Sequence, residues 1–315
     1  MNTTPKIALG TWSWGVGSVG GDRIFGNHLS LADLQPVFDE AMKQGLTFWD
    51  TAYVYGRGAS ETILGQAIAK YPRESLTIST KFTPRIADES AENPVETMFE
   101  GSLKRLGIDY VDLYWIHHPL DVKRWTPYLI PLVKAGKVKR VGVSNHNLAQ
   151  IKEAEEILSA EGIHVSAVQN HYSLLYRASE DTGILDYCQE HHIDFFAYMV
   201  LEQGVLGGKY DANHLLPADS QRGKTYNPMM HALTPLITTL REIGEAHQAS
   251  AAEIATAWAI AKGTIPLIGV TKVPQVDDAA KAASITLSTT EMETLETLAK
   301  EANVNTRGGW EDPME

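Results

Sequence analysis

This 315-residue chain has a single cysteine, no long apolar run and no excess of basic residues. The lone Cys188 has no partner for an internal disulfide, which favours a reducing compartment. No run approaches the roughly 20 apolar residues of a membrane helix, and the opening MNTTPKIALG lacks the apolar stretch of a signal peptide. The net charge of −12 disfavours binding to nucleic acid. We therefore expect a cytoplasmic protein with neither a membrane nor a nucleic-acid partner.

A glycine-rich segment near the start, GVGSVG at 15–20, matches the G-x-G-x-x-G pattern of dinucleotide-binding turns. In that motif a helix opens within the glycines. Here GDRIFGNH follows, and its composition is typical of a loop. We interpret the segment as a glycine-rich loop and not as a Rossmann fingerprint.

Short apolar strands alternate with amphipathic helices along the chain. Eight apolar segments end near residues 10, 50, 81, 117, 143, 170, 198 and 270. The alternation is interrupted by a Gly- and Pro-rich loop at about 200–228, and a tail follows at about 303–315. This order predicts parallel strands with right-handed crossovers. Count and length favour a single-domain (β/α)8 TIM barrel over residues 1–315. A doubly wound open sheet is the alternative, but it lacks a convincing Gly-rich first turn.

Polar residues end several predicted strands, and the carboxyl ends of barrel strands form one rim. Asp50 ends the second strand, Lys81 the third and His117 the fourth, while Tyr55 follows Asp50 by five residues. Asp50 could offset the cost of burying Lys81. Lys81 would favour the phenolate of Tyr55 and lower its pKa. Each residue alone also has a structural explanation: a strand-capping Asp, a solvated Lys, a half-buried Tyr and a satisfied His.

These residues stand in motifs that closely resemble the aldo-keto reductase family, and the resemblance covers essentially the whole chain. In the family's order the motifs are GTWSWG at 10–15, FWDTAYVYG at 48–56, STKF at 79–82, DLYWIHHP at 112–119, GVSN at 142–145, AVQNHYSLL at 167–175 and GVLGGKY at 204–210. Each motif is weak alone, but the ordered set is specific. The long loop is similar to that of the family branch that includes the potassium-channel β subunits.

The resemblance implies that Asp50, Tyr55, Lys81 and His117 form a catalytic tetrad with Tyr55 as general acid in reduction. It also implies a nicotinamide cofactor, usually NADP(H), that lies extended across the rim under the long loop. The positions implied to contact this cofactor are Thr11, Trp12, Asp50, Ser144, Asn145, Gln169, Tyr198, Val200, Leu201, Gly204, Lys209, Arg222, Gly269, Thr271, Lys272, Gln275 and Asp278. Among them, the resemblance implies that Ser144, Asn145 and Gln169 bond the carboxamide and that Tyr198 stacks on the nicotinamide. It also implies that Lys209 and Arg222 contact the phosphates and that the segment 269–279 binds the adenosine end.

Three departures from the family pattern affect the choice of cofactor. Gln275 stands where many relatives have Arg, and Ala279 where many have Asn. The segment 199–201, Met-Val-Leu, replaces a frequent Ser-Pro-Leu. NAD(H) therefore remains an alternative to NADP(H).

The expected function is NADP(H)-dependent reduction of a small-molecule aldehyde or ketone. The expected walls of the substrate pocket are aromatic, which suits apolar or planar compounds. They are Trp12, Trp14, Tyr53, Phe82 and Trp310, with core packing as the alternative for Trp12 and Trp14.

Two other functions stay open at this stage. One is a cofactor-holding regulatory or redox-sensing subunit with little turnover. The other is a metal-dependent hydrolase that uses Asp50, His117 and His118. Adjacent histidines point to different sides of a strand end and chelate poorly, so we expect no metal. The sequence leaves the oligomeric state undefined.

Overall fold

Each of the eight apolar segments forms a strand in the computed structural model, which describes residues 5–315. Residues 1–4, which belong to the predicted domain and to the signal-peptide argument, lie outside the described residues. The strands are β1 Ala8–Gly10, β2 Phe48–Asp50, β3 Thr77–Phe82, β4 Val111–Ile116, β5 Val138–Ser144, β6 Val165–His171, β7 Asp194–Tyr198 and β8 Ile265–Gly269. Neighbouring strands pair in parallel, and β1 pairs with both β2 and β8. The predicted (β/α)8 barrel is therefore confirmed, and the open sheet is wrong.

Helices surround the barrel and follow the predicted spacing. They are α1 Gly21–Phe25, α2 Leu31–Lys43, α3 Ala59–Ile68, α4 Pro94–Leu106, α5 Val122–Trp125, α6 Leu129–Lys134, α7 Leu148–Ser159, α8 Ala178–Asp181, α9 Ile184–Glu190, α10 Gln221–Tyr226, α11 Met230–Ala246, α12 Ala251–Ala261, α13 Val273–Ala282 and α14 Thr289–Ala302. In the part of the chain that the structure describes, no helix is long and apolar enough to cross a membrane.

Local sequence explains most helix boundaries. Ser250 and Glu253 form the capping box that starts α12, so two otherwise unpaired backbone N–H groups are satisfied. Pro127 lies in a 3₁₀ turn that separates α5 from α6, because proline cannot donate within a helix. The expectation that GDRIFGNH is a loop is wrong for its first five residues, which form the short α1.

Alternation along the strands sorts side chains into two layers. A small cluster fills the inside of the barrel and includes Phe48, Leu113, Trp115 and Phe196. The residues between them along each strand face outward and pack against the helices. The inward positions at the carboxyl ends of β2, β3 and β4 therefore converge above the inner cluster, at the mouth of the barrel.

Candidate active site

Asp50, the last residue of β2, is the centre of a buried polar group. Its side chain is 1% exposed and accepts a hydrogen bond from the Trp115 indole at 3.1 Å. The Ser79 hydroxyl donates to the same oxygen at 2.5 Å. The other oxygen forms an ion pair with the ammonium of Lys81. These partners hold the carboxylate in one orientation toward the mouth.

Lys81 lies on β3 with a fully buried side chain. Its ammonium bonds Asp50 and donates to the backbone carbonyl of Thr51 at 3.0 Å. Burial alone would lower the pKa of Lys81, but Asp50 and Tyr55 together outweigh burial and raise it. The lysine is therefore a fixed cation at neutral pH, and its Nζ lies 3.5 Å from the hydroxyl of Tyr55.

Tyr55 is half-buried on the turn after β2, with its hydroxyl against Lys81. Burial raises the pKa of Tyr55, and Asp50 adds to this effect, although Lys81 opposes both. The pKa of Tyr55 is therefore raised overall, so the expectation of a lowered pKa is wrong. Lys81 by itself does lower this pKa, as expected. Tyr55 keeps its proton at neutral pH, as a proton donor must.

His117, directly after β4, meets the ring of Tyr55 edge-on at a centroid distance of 6.0 Å. Its Nδ1 lies 3.0 Å from the hydroxyl of Thr83. Burial lowers the pKa of His117 well below its usual value, and the neighbouring His118 and Lys81 add to this effect. The imidazole is neutral at pH 7, and Thr83 leaves its Nε2 for another partner.

The residues predicted to hold a carboxamide lie together on the next three strand ends. Ser144 of β5 stands beside Gln169 of β6 in the register, and Tyr198 ends β7. The Tyr198 hydroxyl lies 2.5 Å from Oδ1 of Asn145. This set offers amide and hydroxyl groups beside an aromatic ring, which is the chemistry that a nicotinamide carboxamide requires. Asp50, Tyr55, Lys81 and His117 face the same mouth.

Other predicted cofactor positions lie around this rim with different degrees of access. Thr11 is fully buried, and its hydroxyl donates to the backbone carbonyl of Asp50 at 3.1 Å. Val200 is 2% exposed in the core, while Leu201 is half-buried. Thr11 and Val200 therefore offer almost no exposed surface to a cofactor.

The long loop carries the predicted phosphate contacts. It is less irregular than expected, because it contains a 3₁₀ segment at Glu202–Gly207 and the short α10. Arg222 donates from α10 to the backbone carbonyl of Gln203 at 3.1 Å and lies beside Gly204. Lys209 is exposed, and its ammonium lies 5.3 Å from the centroid of the Tyr210 ring.

The start of α13 carries the predicted adenosine contacts. Oε1 of Gln275 accepts from the backbone N–H groups of Thr271 and Lys272, at 2.7 and 3.0 Å. Gln275 therefore caps the helix where the sequence departs from the family's Arg. A methyl group added at Gly269 would meet open space, so the approach to this helix end is unobstructed. Burial raises the pKa of Asp278, one turn further along α13, and nearby acidic residues add to the rise.

Two of the predicted pocket walls are core residues instead. Trp14 is fully buried, and its indole donates to the Val270 carbonyl at 2.7 Å. Phe82 is fully buried and packs on Trp125 of α5, because it follows the inward Lys81 and so faces outward. The prediction that Trp14 and Phe82 line the pocket is wrong, because both side chains are buried in the core. The half-buried Tyr53 lies under the guanidinium of Arg105.

Trp12 and Trp310 do lie at the mouth. Trp12 stacks on Tyr55 at a centroid distance of 6.0 Å, and Trp310 of the tail meets Trp12 edge-on at 5.8 Å. Phe25 of α1 completes this aromatic wall at 5.3 Å from Trp12. The wall adjoins the proton-donor group and can take the apolar part of a substrate.

The sequence analysis did not predict several residues that contact the candidate site residues. Ser79 and Thr83 lie two residues either side of Lys81, so the period of two could have placed them inside the barrel. Trp115 could have been found in the same way from His117. No local sequence pattern indicated Glu311, whose carboxylate accepts from the Tyr198 hydroxyl at 2.8 Å. Within residues 5–315 no group of three or more His, Cys, Asp or Glu side chains could hold a metal ion.

With this geometry established, comparison with known proteins identifies the class. The model of the aldo/keto reductase family matches residues 6–300, so the chain belongs to that family of oxidoreductases. An aldo-keto reductase of Gibberella moniliformis is 32% identical over 90% of this chain and 89% of its own length. The chloroplastic pyridoxal reductase of Arabidopsis thaliana is 30% identical over 94% of this chain and 83% of its own. The structure of an aldo-keto reductase from Klebsiella pneumoniae in complex with NADPH is also similar, with a TM-score of 0.72, 26% identity and coverage of 94% and 91% of the two chains.

Proposed function

We propose that this protein reduces an aldehyde or ketone to an alcohol, with NADP(H) as the cofactor and Tyr55 as the proton donor. The observation that carries the proposal is the position of Lys81, which is fully buried between the Asp50 carboxylate and the Tyr55 hydroxyl. A buried lysine so placed has a chemical use, because it stabilises negative charge on the phenol oxygen.

The chain's own residues account for the proton half of the reaction. Tyr55 donates its proton to the carbonyl oxygen, and the Lys81 ammonium 3.5 Å away stabilises the phenolate that results. Asp50 holds that ammonium in place and keeps it charged. In the tautomer in which Thr83 donates to Nδ1, His117 carries its hydrogen on Nε2 and can donate to the carbonyl oxygen. The aromatic wall at Trp12 holds the rest of the substrate beside Tyr55.

The rim fits the cofactor in three places. Ser144, Asn145 and Gln169 would hold the carboxamide, and Tyr198 would face the nicotinamide ring. Lys209 and Arg222 of the long loop would contact the phosphates, and Lys272 with the start of α13 would contact the adenosine end. When bound, the cofactor supplies the hydride. The NADPH complex of the Klebsiella pneumoniae relative supports this choice of cofactor.

The test is turnover with a matched pair of tyrosine variants. Oxidation of NADPH is followed with a panel of aliphatic and aromatic aldehydes and ketones. Tyr55→Phe should lower kcat by about 10²–10⁴-fold, because it removes one general acid. Tyr110→Phe is the control, since Tyr110 is also half-buried but packs under Arg73 before β4, at the opposite end of the barrel.

Three outcomes would contradict the proposal. Equal kcat in Tyr55→Phe and in the wild type would remove Tyr55 from its role. Oxidation of NADPH that requires an added divalent metal would assign the activation of the carbonyl to the metal and not to Tyr55 and Lys81. Tight NADPH binding with no turnover across the whole panel would favour a regulatory, cofactor-holding subunit.

A further inference from the structure

Three charged side chains outside the catalytic group are buried together under the C-terminal tail. His171 ends β6, Glu202 starts the long loop and Glu311 belongs to the tail; we call these three the His171 cluster. Nε2 of His171 lies 2.9 Å from Glu202, and Nδ1 lies 3.1 Å from Glu311. All three side chains have no exposed surface. A ring with a carboxylate at each nitrogen donates from both nitrogens, so His171 is an imidazolium.

The two carboxylates of the cluster have different surroundings. Glu202 is saturated by hydroxyl groups, since it also accepts from Ser173, from Tyr226 at 2.7 Å and from Thr306 at 3.0 Å. It ties the loop to the tail.

Glu311 differs because one of its oxygens faces the rim of the candidate active site. Nδ1 of His171 lies 3.1 Å from both carboxylate oxygens, and Oε2 also accepts from the backbone N–H of Gly308 at 3.1 Å. Oε1 lies 2.8 Å from the hydroxyl of Tyr198. The family match ends at residue 300, so this tail contact lies beyond the span that the family model describes.

The hydroxyl of Tyr198 has two acceptors and only one hydrogen. Oδ1 of Asn145 lies 2.5 Å away, and Oε1 of Glu311 lies 2.8 Å away. The Asn145 amide cannot be turned over to relieve this competition, because its Nδ2 donates to the backbone carbonyl of His117 at 2.9 Å. A carboxylate is the stronger acceptor of the two. In the structure Oδ1 of Asn145 is the nearer acceptor, and Glu311 is the acceptor to which the hydrogen turns when another donor reaches Oδ1.

We propose that Glu311 is a positioning residue for the nicotinamide end of the cofactor: by accepting the Tyr198 hydrogen, it keeps Oδ1 of Asn145 free to accept from the carboxamide N–H. This inference rests on the proposed function, in which Asn145 holds the carboxamide. The tail thereby contributes to cofactor binding without touching the cofactor.

Replacement of Glu311 by glutamine gives a specific test. In Glu311→Gln the amide oxygen must face the backbone N–H of Gly308, so the amide N–H₂ faces Tyr198. Tyr198 then accepts from position 311, and its own hydrogen stays on Oδ1 of Asn145. Calorimetry should show the Kd of NADPH rise about tenfold, as expected for one hydrogen bond. The Kd of 2′,5′-ADP, which has only the adenosine end, should stay unchanged.

A second substitution distinguishes this role from mere support of the tail. Tyr198→Phe removes the contested hydrogen, so Asn145 is free whatever stands at position 311. In the Tyr198→Phe background, Glu311→Gln should therefore cause no further loss of NADPH affinity. The double variant should regain what Glu311→Gln lost, a rescue that only a shared hydroxyl explains. Glu315→Gln, which removes an exposed carboxylate from the same tail, is the control and should change neither Kd.

The outcomes separate the two proposals. Equal weakening of NADPH and 2′,5′-ADP by Glu311→Gln, or additive losses in the double variant, would overturn the positioning role and leave the reductase function intact. A wild-type protein that does not bind NADPH would overturn both. If Glu311→Gln fails to fold, Glu311→Asp is measured instead, because its shorter side chain withdraws the carboxylate from Tyr198, and an NADPH Kd equal to that of the wild type would contradict the inference.

Discussion

The charge of His171 makes the stability of this protein depend on pH in a window where few other groups titrate. Burial alone would lower the pKa of His171, but Glu202 and Glu311 outweigh it and raise the pKa from 6.5 to about 9. A histidine whose pKa is higher in the folded state stabilises that state below the unfolded value, and the stabilisation is lost as pH rises through the folded value. We therefore predict that the free energy of unfolding falls between about pH 6.5 and pH 9.

The size of this loss follows from the two pKa values. At about 1.4 kcal/mol for each unit of pKa, the contribution of His171 is about 3 kcal/mol. For a chain of 315 residues this corresponds to a fall in Tm of about 5 °C. The aromatic neighbours of His171 do not interfere. Tyr176 stacks on its ring at 4.3 Å with a pKa raised by burial to about 12, and burial raises the pKa of Tyr198 well above 10.0.

The assay is thermal unfolding at closely spaced pH values from 6 to 10, for the wild type and for His171→Gln. The variant is less stable throughout, because two buried carboxylates lose their cation. The informative quantity is therefore the slope of Tm against pH, which should flatten in His171→Gln. His164→Gln is the control, since His164 has an exposed side chain paired with Glu155. A wild type with constant Tm across the window, or an unchanged slope in His171→Gln, would refute the reasoning.

Three further predictions concern other parts of the molecule. Lys272→Ala should weaken NADPH more than NADH, and equal losses by calorimetry would place the 2′-phosphate elsewhere. Burial lowers the pKa of His146 to about 4, so protonation of this group should cost about 3 kcal/mol of stability as pH falls from 6.5 through 4. His146→Gln should therefore reduce the fall in Tm over this acidic range. A methyl group in Gly142→Ala would lie 2.3 Å from the Trp115 ring, which donates to Asp50. We expect a loss of about 1–3 kcal/mol in stability and a lower kcat, and wild-type values for both would contradict that packing.

Much of the barrel and its rim was predictable from the sequence. Parallel strands place their carboxyl ends on one side, so the residues after the apolar segments had to meet there. Asp50, Lys81 and His117 were predicted in this way. Alternation along the strand also explains why the prediction for Phe82 was wrong, since Phe82 must face outward when Lys81 faces inward. That rule, applied strictly, would have removed Phe82 from the predicted pocket.

The direction of the Tyr55 pKa was not predictable from the sequence. Lys81 lowers that pKa as the sequence suggested, but burial raises it further, and burial depends on what the whole mouth packs around the ring. Trp14 is a similar case, because its place in the core depends on the Val270 carbonyl, 256 residues away.

The sequence by itself determined the order and period of the elements, and from these followed the barrel, its rim and the residues that end its strands. Only the tertiary structure decided which distant groups share a hydrogen or a charge. His171 and Glu311 are 140 residues apart, and Tyr198 and Glu311 are 113 apart. The physical reason is that periodicity is a local property of the backbone, whereas hydrogen bonds, ion pairs and desolvation depend on distances that exist only after the chain has folded.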